Sequence, residues 1–71
     1  MYRKTHIEGK GQFYIKSNGH TSLVVSYQSK TPMIYEMSGV FFENGSTEIT
    51  KEEFDLNFGQ VFYYLSNLKN Q

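Results

Sequence analysis

Two histidines, one aspartate and six glutamates are the groups in this 71-residue chain that could move a proton or hold a metal. His6 and Glu8 would share one face of a strand, because side chains alternate with a period of two. That supplies two ligands, and nothing at a fitting spacing supplies the third and fourth that zinc takes. Nucleophilic catalysis needs a Ser or Thr beside a base that a third group holds in place. No Gly-x-Ser-x-Gly elbow is present, and His6 and His20 lie on separate segments. Glu52 and Glu53 are adjacent and would point apart on a helix. They are better explained as anions at the positive end of a helix dipole. Gly9-Lys10-Gly11 lacks the rest of a phosphate loop and runs into a strand rather than a helix. The expectation is a protein that is not an enzyme and that holds neither metal nor cofactor.

Recognition chemistry is better represented. The chain is neutral overall, with seven Lys or Arg against seven Asp or Glu, but the charges are divided. Residues 1–30 carry a net charge of +4 and residues 31–71 a net charge of −4. Attraction between the two halves within the fold explains such a split most simply. Tyr14 and Lys16, with Lys10, Arg3 and Lys4 nearby in sequence, also form a set that would suit unpaired bases and a phosphate path. No RNP motif accompanies them. The acidic residues Glu48, Glu52 and Asp55 would suit a basic surface on a protein partner. The third set is apolar. Leu56, Gly59 and Tyr63 recur on the helix face opposite its core stripe, where charged residues are usual. Phe41 would be turned outward by the preceding hairpin and adds to that surface.

These residues need a scaffold, and the composition describes one. The chain has no Ala, Trp or Cys, and 12 of its residues are Phe or Tyr. Disulfide frameworks and thiol chemistry are excluded. Abundant Tyr, Phe, Thr and Ser without Ala favour strands over helices. No apolar run exceeds the five residues from Val61 to Leu65, too few to span a bilayer. No export signal follows Met1, so a cytoplasmic location is expected.

Residues 1–71 read as one small domain, with strands within 2–49 and a helix over about 51–68. Segments Tyr2 to Glu8, Gln12 to Lys16, Thr21 to Gln28 and Met33 to Met37 read as strands. Val40 to Glu43 extends the last of these past a bulge at Gly39. Asn18-Gly19 and Asn44-Gly45 mark two hairpins. At the first, a two-residue turn would set Tyr14 opposite Leu23 and divide the apolar anchors between faces. A three-residue loop, Ser17-Asn18-Gly19, sets Phe13 opposite Leu23 and keeps the anchors together. A slip of one residue moves every side chain across the sheet. Burial therefore selects the three-residue loop, with Tyr14 and Lys16 pointing away from the core. At the second hairpin, a two-residue turn sets Phe42 opposite Thr47 and Val40 opposite Ile49.

The helix is the clearest element. Thr50 and Glu53 form a capping box, with Ile49 and Phe54 at the staple positions. Phe54, Phe58, Val61, Phe62, Leu65 and Leu68 recur at helical spacing as a core stripe. The expected fold is α+β, an antiparallel sheet of four to five strands covered on one face by a single C-terminal helix. The other sheet face is expected to be open. The leading functional expectation is a small interaction module, an inhibitor or adaptor that docks on a protein and can form a homodimer. Single-stranded nucleic-acid binding is the alternative, and a membrane role is not expected.

Overall fold

Asn18 organises the first hairpin. In the computed structural model, which describes residues 1–27, 31–39 and 45–68, its Oδ1 accepts the backbone N–H groups of His20 and Thr21 at 2.8 and 2.9 Å. The Asn18 N–H donates to the Thr21 carbonyl at 3.2 Å, which closes a turn with Gly19 and His20 at its tip. Gly19 has φ +95°. It takes the first central position, where a type II′ hairpin turn accepts glycine.

Five strands and one helix result. β1 is Tyr2–Ile7, β2 is Gly11–Ser17, β3 is Thr21–Ser26, β4 is Met33–Ser38, β5 is Thr47–Glu48, and α1 is Lys51–Leu68. All neighbours in the sheet are antiparallel, in the order β4-β3-β2-β1-β5. The fold is α+β, as the pattern of one helix after several strands implies.

The register at the first hairpin differs from the one expected from burial. Ser17 pairs with Ser22, Tyr14 with Val25, and Phe13 with Ser26. The three-residue loop is therefore not used, because the Asn18 side chain holds a turn one residue further along. Tyr14, Lys16, Leu23 and Val25 consequently share a face with Tyr2, Lys4, Ile34 and Glu36. That is the face α1 covers. Val25, Phe54 and Val61 form its buried centre, with Tyr2, Tyr14, Leu23, Ile34, Ile49, Phe58 and Leu65 around them.

The second face is not open. Phe13, Ile15 and Val24 are buried there, with Ile7, Tyr35 and Met37 packed against them. Ser22 Oγ donates to the Gly39 carbonyl at 2.8 Å, and Thr5 Oγ1 donates to the Gly45 carbonyl at 3.4 Å. Arg3 Nη2 reaches the Ser46 carbonyl at 2.8 Å. Arg3, Thr5 and Ser22 all lie on this face, so the chain is fastened to it at Gly39 beside β3 and again at Gly45 and Ser46 beside β1. Sheet strands covered on both sides lose the polar alternation of a half-exposed sheet. Leu23-Val24-Val25 shows that loss directly.

The expected pairings of Val40 and Phe42, and Asn44 of the second Asn-Gly turn, lie outside the described residues. The described partner of β5 is β1, where Thr47 pairs with Lys4 and Glu48 with Arg3.

α1 begins as its cap suggests. The Glu53 N–H donates to Thr50 Oγ1 at 3.1 Å. The Glu53 carboxylate takes Lys4 Nζ on β1 at 3.0 Å. Further along, the Tyr27 hydroxyl donates to Asn57 Oδ1 at 3.2 Å, tying the helix to the end of β3.

Candidate interaction surface

Three aromatic rings at successive helix turns carry the core out to the surface. Phe54 and Phe58 stack with centroids 6.1 Å apart, and Phe58 and Phe62 stack at 5.9 Å. Phe54 is 2% exposed, whereas Phe62 is 57% exposed. Phe62 lies about 80° around the helix from Phe54 at 100° per residue, at the edge of the buried stripe, while length accounts for Leu68. An 18-residue helix is about 27 Å long at 1.5 Å per residue. The four strands β1 to β4 span about 14 Å at the usual strand spacing. Phe54 meets Tyr2 of β1 at 5.6 Å, so the helix starts over that strand and its later turns run out of sheet. Leu68, which helical spacing assigns to the core stripe, is exposed for this reason, whereas Val61 and Leu65 on either side of Phe62 still pack on the sheet.

Between these last turns and the β3–β4 edge lies an open groove of about 740 Å³. Leu23, Ile34, Phe58, Phe62, Leu65 and Leu68 give it an apolar lining, and among the described residues Glu36 is its one charged wall. Nothing in the sequence pattern alone marks Leu23 or Ile34 as lining a groove. The relevant signals were the place of Phe62 at the edge of the helical stripe and the length of the helix against the width of the sheet.

The residues expected on the outer helix face are where the spacing put them. Leu56 is 61% exposed, Tyr63 is 70% exposed, and Gly59 is exposed between them. A Cβ built on Gly59 meets no atom within 4 Å, so the notch is open. Phe62 lies about 100° from Tyr63 around the helix and joins this outer face to the groove. Phe41 lies outside the described residues.

The acidic set is divided. Glu52 and Asp55 are exposed on the first turns of α1, and Asp55 takes Lys51 Nζ at 2.6 Å. That carboxylate raises the Lys51 pKa through a hydrogen bond and through its charge. Glu48 pairs with Arg3 and so belongs to the opposite sheet face.

The basic set is dispersed. Arg3 lies on the face away from the helix, with Nε on Ser46 Oγ at 2.5 Å. Lys4 is on the helix-covered face, where hydrogen bonding to Glu53 and the Glu53 charge raise its pKa. Tyr14 does not point away from the core. It is half-buried and meets Tyr27 edge-on at 5.9 Å. Lys16 is exposed on that same face, and Lys10 is exposed in the turn between β1 and β2.

His6, exposed on β1, and His20, exposed at the first hairpin, lie toward opposite ends of β2. Among the described residues no group of three or more His, Cys, Asp or Glu could hold a metal ion. Among them, too, no helix is long and apolar enough to cross a membrane.

No protein-family model matches the chain, and neither the curated proteins nor the solved structures compared with it match.

Proposed function

We propose that this protein is a non-enzymatic interaction module that docks on a protein partner, as an inhibitor or adaptor, through the exposed apolar side of α1. The observation that carries this reading is Phe62. It ends a stacked aromatic series that starts in the core, and it stands exposed between the Leu56-Gly59-Tyr63 face and the groove. Single exposed apolar residues are ordinary, whereas adjoining ones mark contact surfaces. Aromatic anchors are also the residues that interfaces favour. Glu52 and Asp55 at the start of the same helix would steer a basic partner surface toward it.

Nucleic-acid binding is the weaker reading. Its residues fall on two sheet faces and a turn, Lys4 is paired, and Tyr14 is half-covered by the helix.

A photo-reactive phenylalanine analogue placed at position 63, and separately at position 10, tests the proposal in extract of the source cells. Position 63 is expected to capture one defined protein and position 10 none. Unlabelled wild-type chain should compete for that capture, and Gly59→Arg should not. Equal capture at both positions, or equal competition by Gly59→Arg, would overturn the reading.

A further inference from the structure

The two sheet edges are treated differently. β5 is only two residues long and leads straight into the helix. β4 has six residues, Met33-Ile34-Tyr35-Glu36-Met37-Ser38, and no described strand lies on its outer side. Proteins usually guard such edges with lysine, proline or a bulge. β4 contains no lysine and no proline, Glu36 is its one charged residue, and Pro32 sits just ahead of it.

The direction of its backbone groups follows from the ladder. The Gly39 N–H donates to the His20 carbonyl at 2.7 Å, and these two residues stand directly opposite in the β3–β4 register. Hydrogen-bonded and non-hydrogen-bonded pairs alternate along an antiparallel ladder. Met33, Tyr35 and Met37 therefore turn their N–H and C=O toward β3. Ile34, Glu36 and Ser38 turn theirs outward. The Asn18–Thr21 and Tyr27–Gln12 bonds on the other side of β3 require the same phase.

We infer that β4 pairs antiparallel with β4 of a second copy of this chain, about a two-fold axis through Tyr35. Only outward-facing residues can exchange hydrogen bonds, so the register can shift only in steps of two. With Tyr35 against the partner's Tyr35, Ile34 exchanges both bonds with the partner's Glu36, and Glu36 with the partner's Ile34. Ser38 N–H meets the carbonyl of the partner's Pro32, so the missing proline donor falls at the end of the ladder. A shift one way opposes Glu36 to the partner's Glu36, and like charges directly opposite are unfavourable. A shift the other way moves proline opposite Glu36 and removes a donor from the middle.

The same axis places both helices on one side of a continuous ten-stranded sheet. It brings together the two grooves lined by Ile34, Phe62 and Leu68. A second copy is favoured over a foreign strand because the edge repeats its own outward donor and acceptor pattern about the axis, as a two-fold interface requires. A strand about 20 Å long along a body 22 Å deep gives about 450 Å² from each copy, roughly half a standard interface. The dimer is therefore weak and concentration-dependent. It is the self-association branch of the interaction reading above, and it stands on the edge geometry instead of the outer helix face.

The chain contains no cysteine, which makes a direct test available. Residues opposed on a two-fold axis as a non-hydrogen-bonded pair have Cα atoms about 4.5 Å apart, within the range a disulfide spans. Tyr35→Cys is expected to form a disulfide-linked dimer on mild oxidation. Met33→Cys, on the same strand and face but off the axis, is expected not to. In sedimentation equilibrium, the wild-type mass should rise from 8.3 kDa toward twice that value between micromolar and several hundred micromolar. Glu36→Pro removes an outward N–H and no bond within the fold, so it should remain monomeric with an unchanged circular dichroism spectrum. A monomeric wild type at every concentration, a disulfide at Met33→Cys in place of Tyr35→Cys, or unaltered association of Glu36→Pro would overturn the inference. Should the wild type stay monomeric while position 63 still captures a partner, the self-pairing fails and the docking proposal survives.

Discussion

Gly59 is the position at which stability and association should move in opposite directions. It lies in the middle of α1, where glycine costs about 1 kcal/mol relative to alanine through backbone entropy. A Cβ there meets nothing within 4 Å, so no steric term opposes the gain. Gly59→Ala should therefore stabilise the fold by about 1 kcal/mol. In a domain of this size that raises the thermal midpoint by about 4–8 °C. Arginine is nearly as good a helix former as alanine, so Gly59→Arg should stabilise by about 0.8 kcal/mol while filling the notch between Leu56 and Tyr63. Circular dichroism at 222 nm during heating measures the first effect, and the competition experiment at position 63 measures the second. A midpoint that falls in both variants would refute the reasoning, since it would mean that position 59 is not open helix. A midpoint that rises while Gly59→Arg competes as well as wild type would leave the fold intact and remove the notch from the docking surface.

Ile15→Ala tests the covered second face. Ile15 is buried there beside Val24, so the change should cost about 2–5 kcal/mol in urea unfolding, while the exposed neighbour Lys16→Ala should stay within about 0.5 kcal/mol. Comparable small losses for both would contradict burial of that face. Burial raises the Tyr27 pKa from its ordinary value of 10.0, so its folded form holds the proton more tightly than its unfolded form. That contribution is complete below about pH 10 and disappears as pH rises through the higher folded value. The raised Lys4 and Lys51 values act in the same window and with the same sign. Stability should thus fall in alkali, and Tyr27→Phe should make the fall shallower. Parallel pH profiles for the two proteins would rule the Tyr27 contribution out.

The helix was legible in the sequence because its signals are local. Thr50, Glu53, the acidic first turn and the spacing of Phe54, Phe58 and Val61 are all read within four residues of one another, and α1 runs over Lys51–Leu68. The antiparallel sheet was legible for a similar reason, through strand-forming runs and turn residues. The strand register was not. The argument that apolar residues must share one face presumes that the other face meets water. Here Phe13 and Ile15 are buried on one side of β2 while Tyr14 packs under the helix on the other. With both faces covered, hydrophobicity has no preference between registers, and the Asn18 side chain settles the matter. The same limit applies to the interaction surface. Leu56, Gly59 and Tyr63 follow from helical period alone. Phe62 is exposed because it lies at the edge of the helix's buried stripe, whereas Leu68 is exposed because the helix outruns the sheet, which is a property of two elements together.

The ion pair between Lys4 and Glu53 has a bearing on how the chain folds. β1 to β4 are joined to one another by short connections, so each strand can zip onto its predecessor as it forms. β1 then waits for its second neighbour until residues 47 and 48 arrive, and for its helix contact until residue 53. Closing so long a loop is slow compared with making a local hairpin. During synthesis, β1 is therefore an open edge until residues 47 to 53 have emerged. Its only covering then is whatever its own polar residues provide. Arg3 and Lys4 on that strand place like charges along the edge during this interval, and they discourage two nascent chains from pairing there before β5 and α1 close over it.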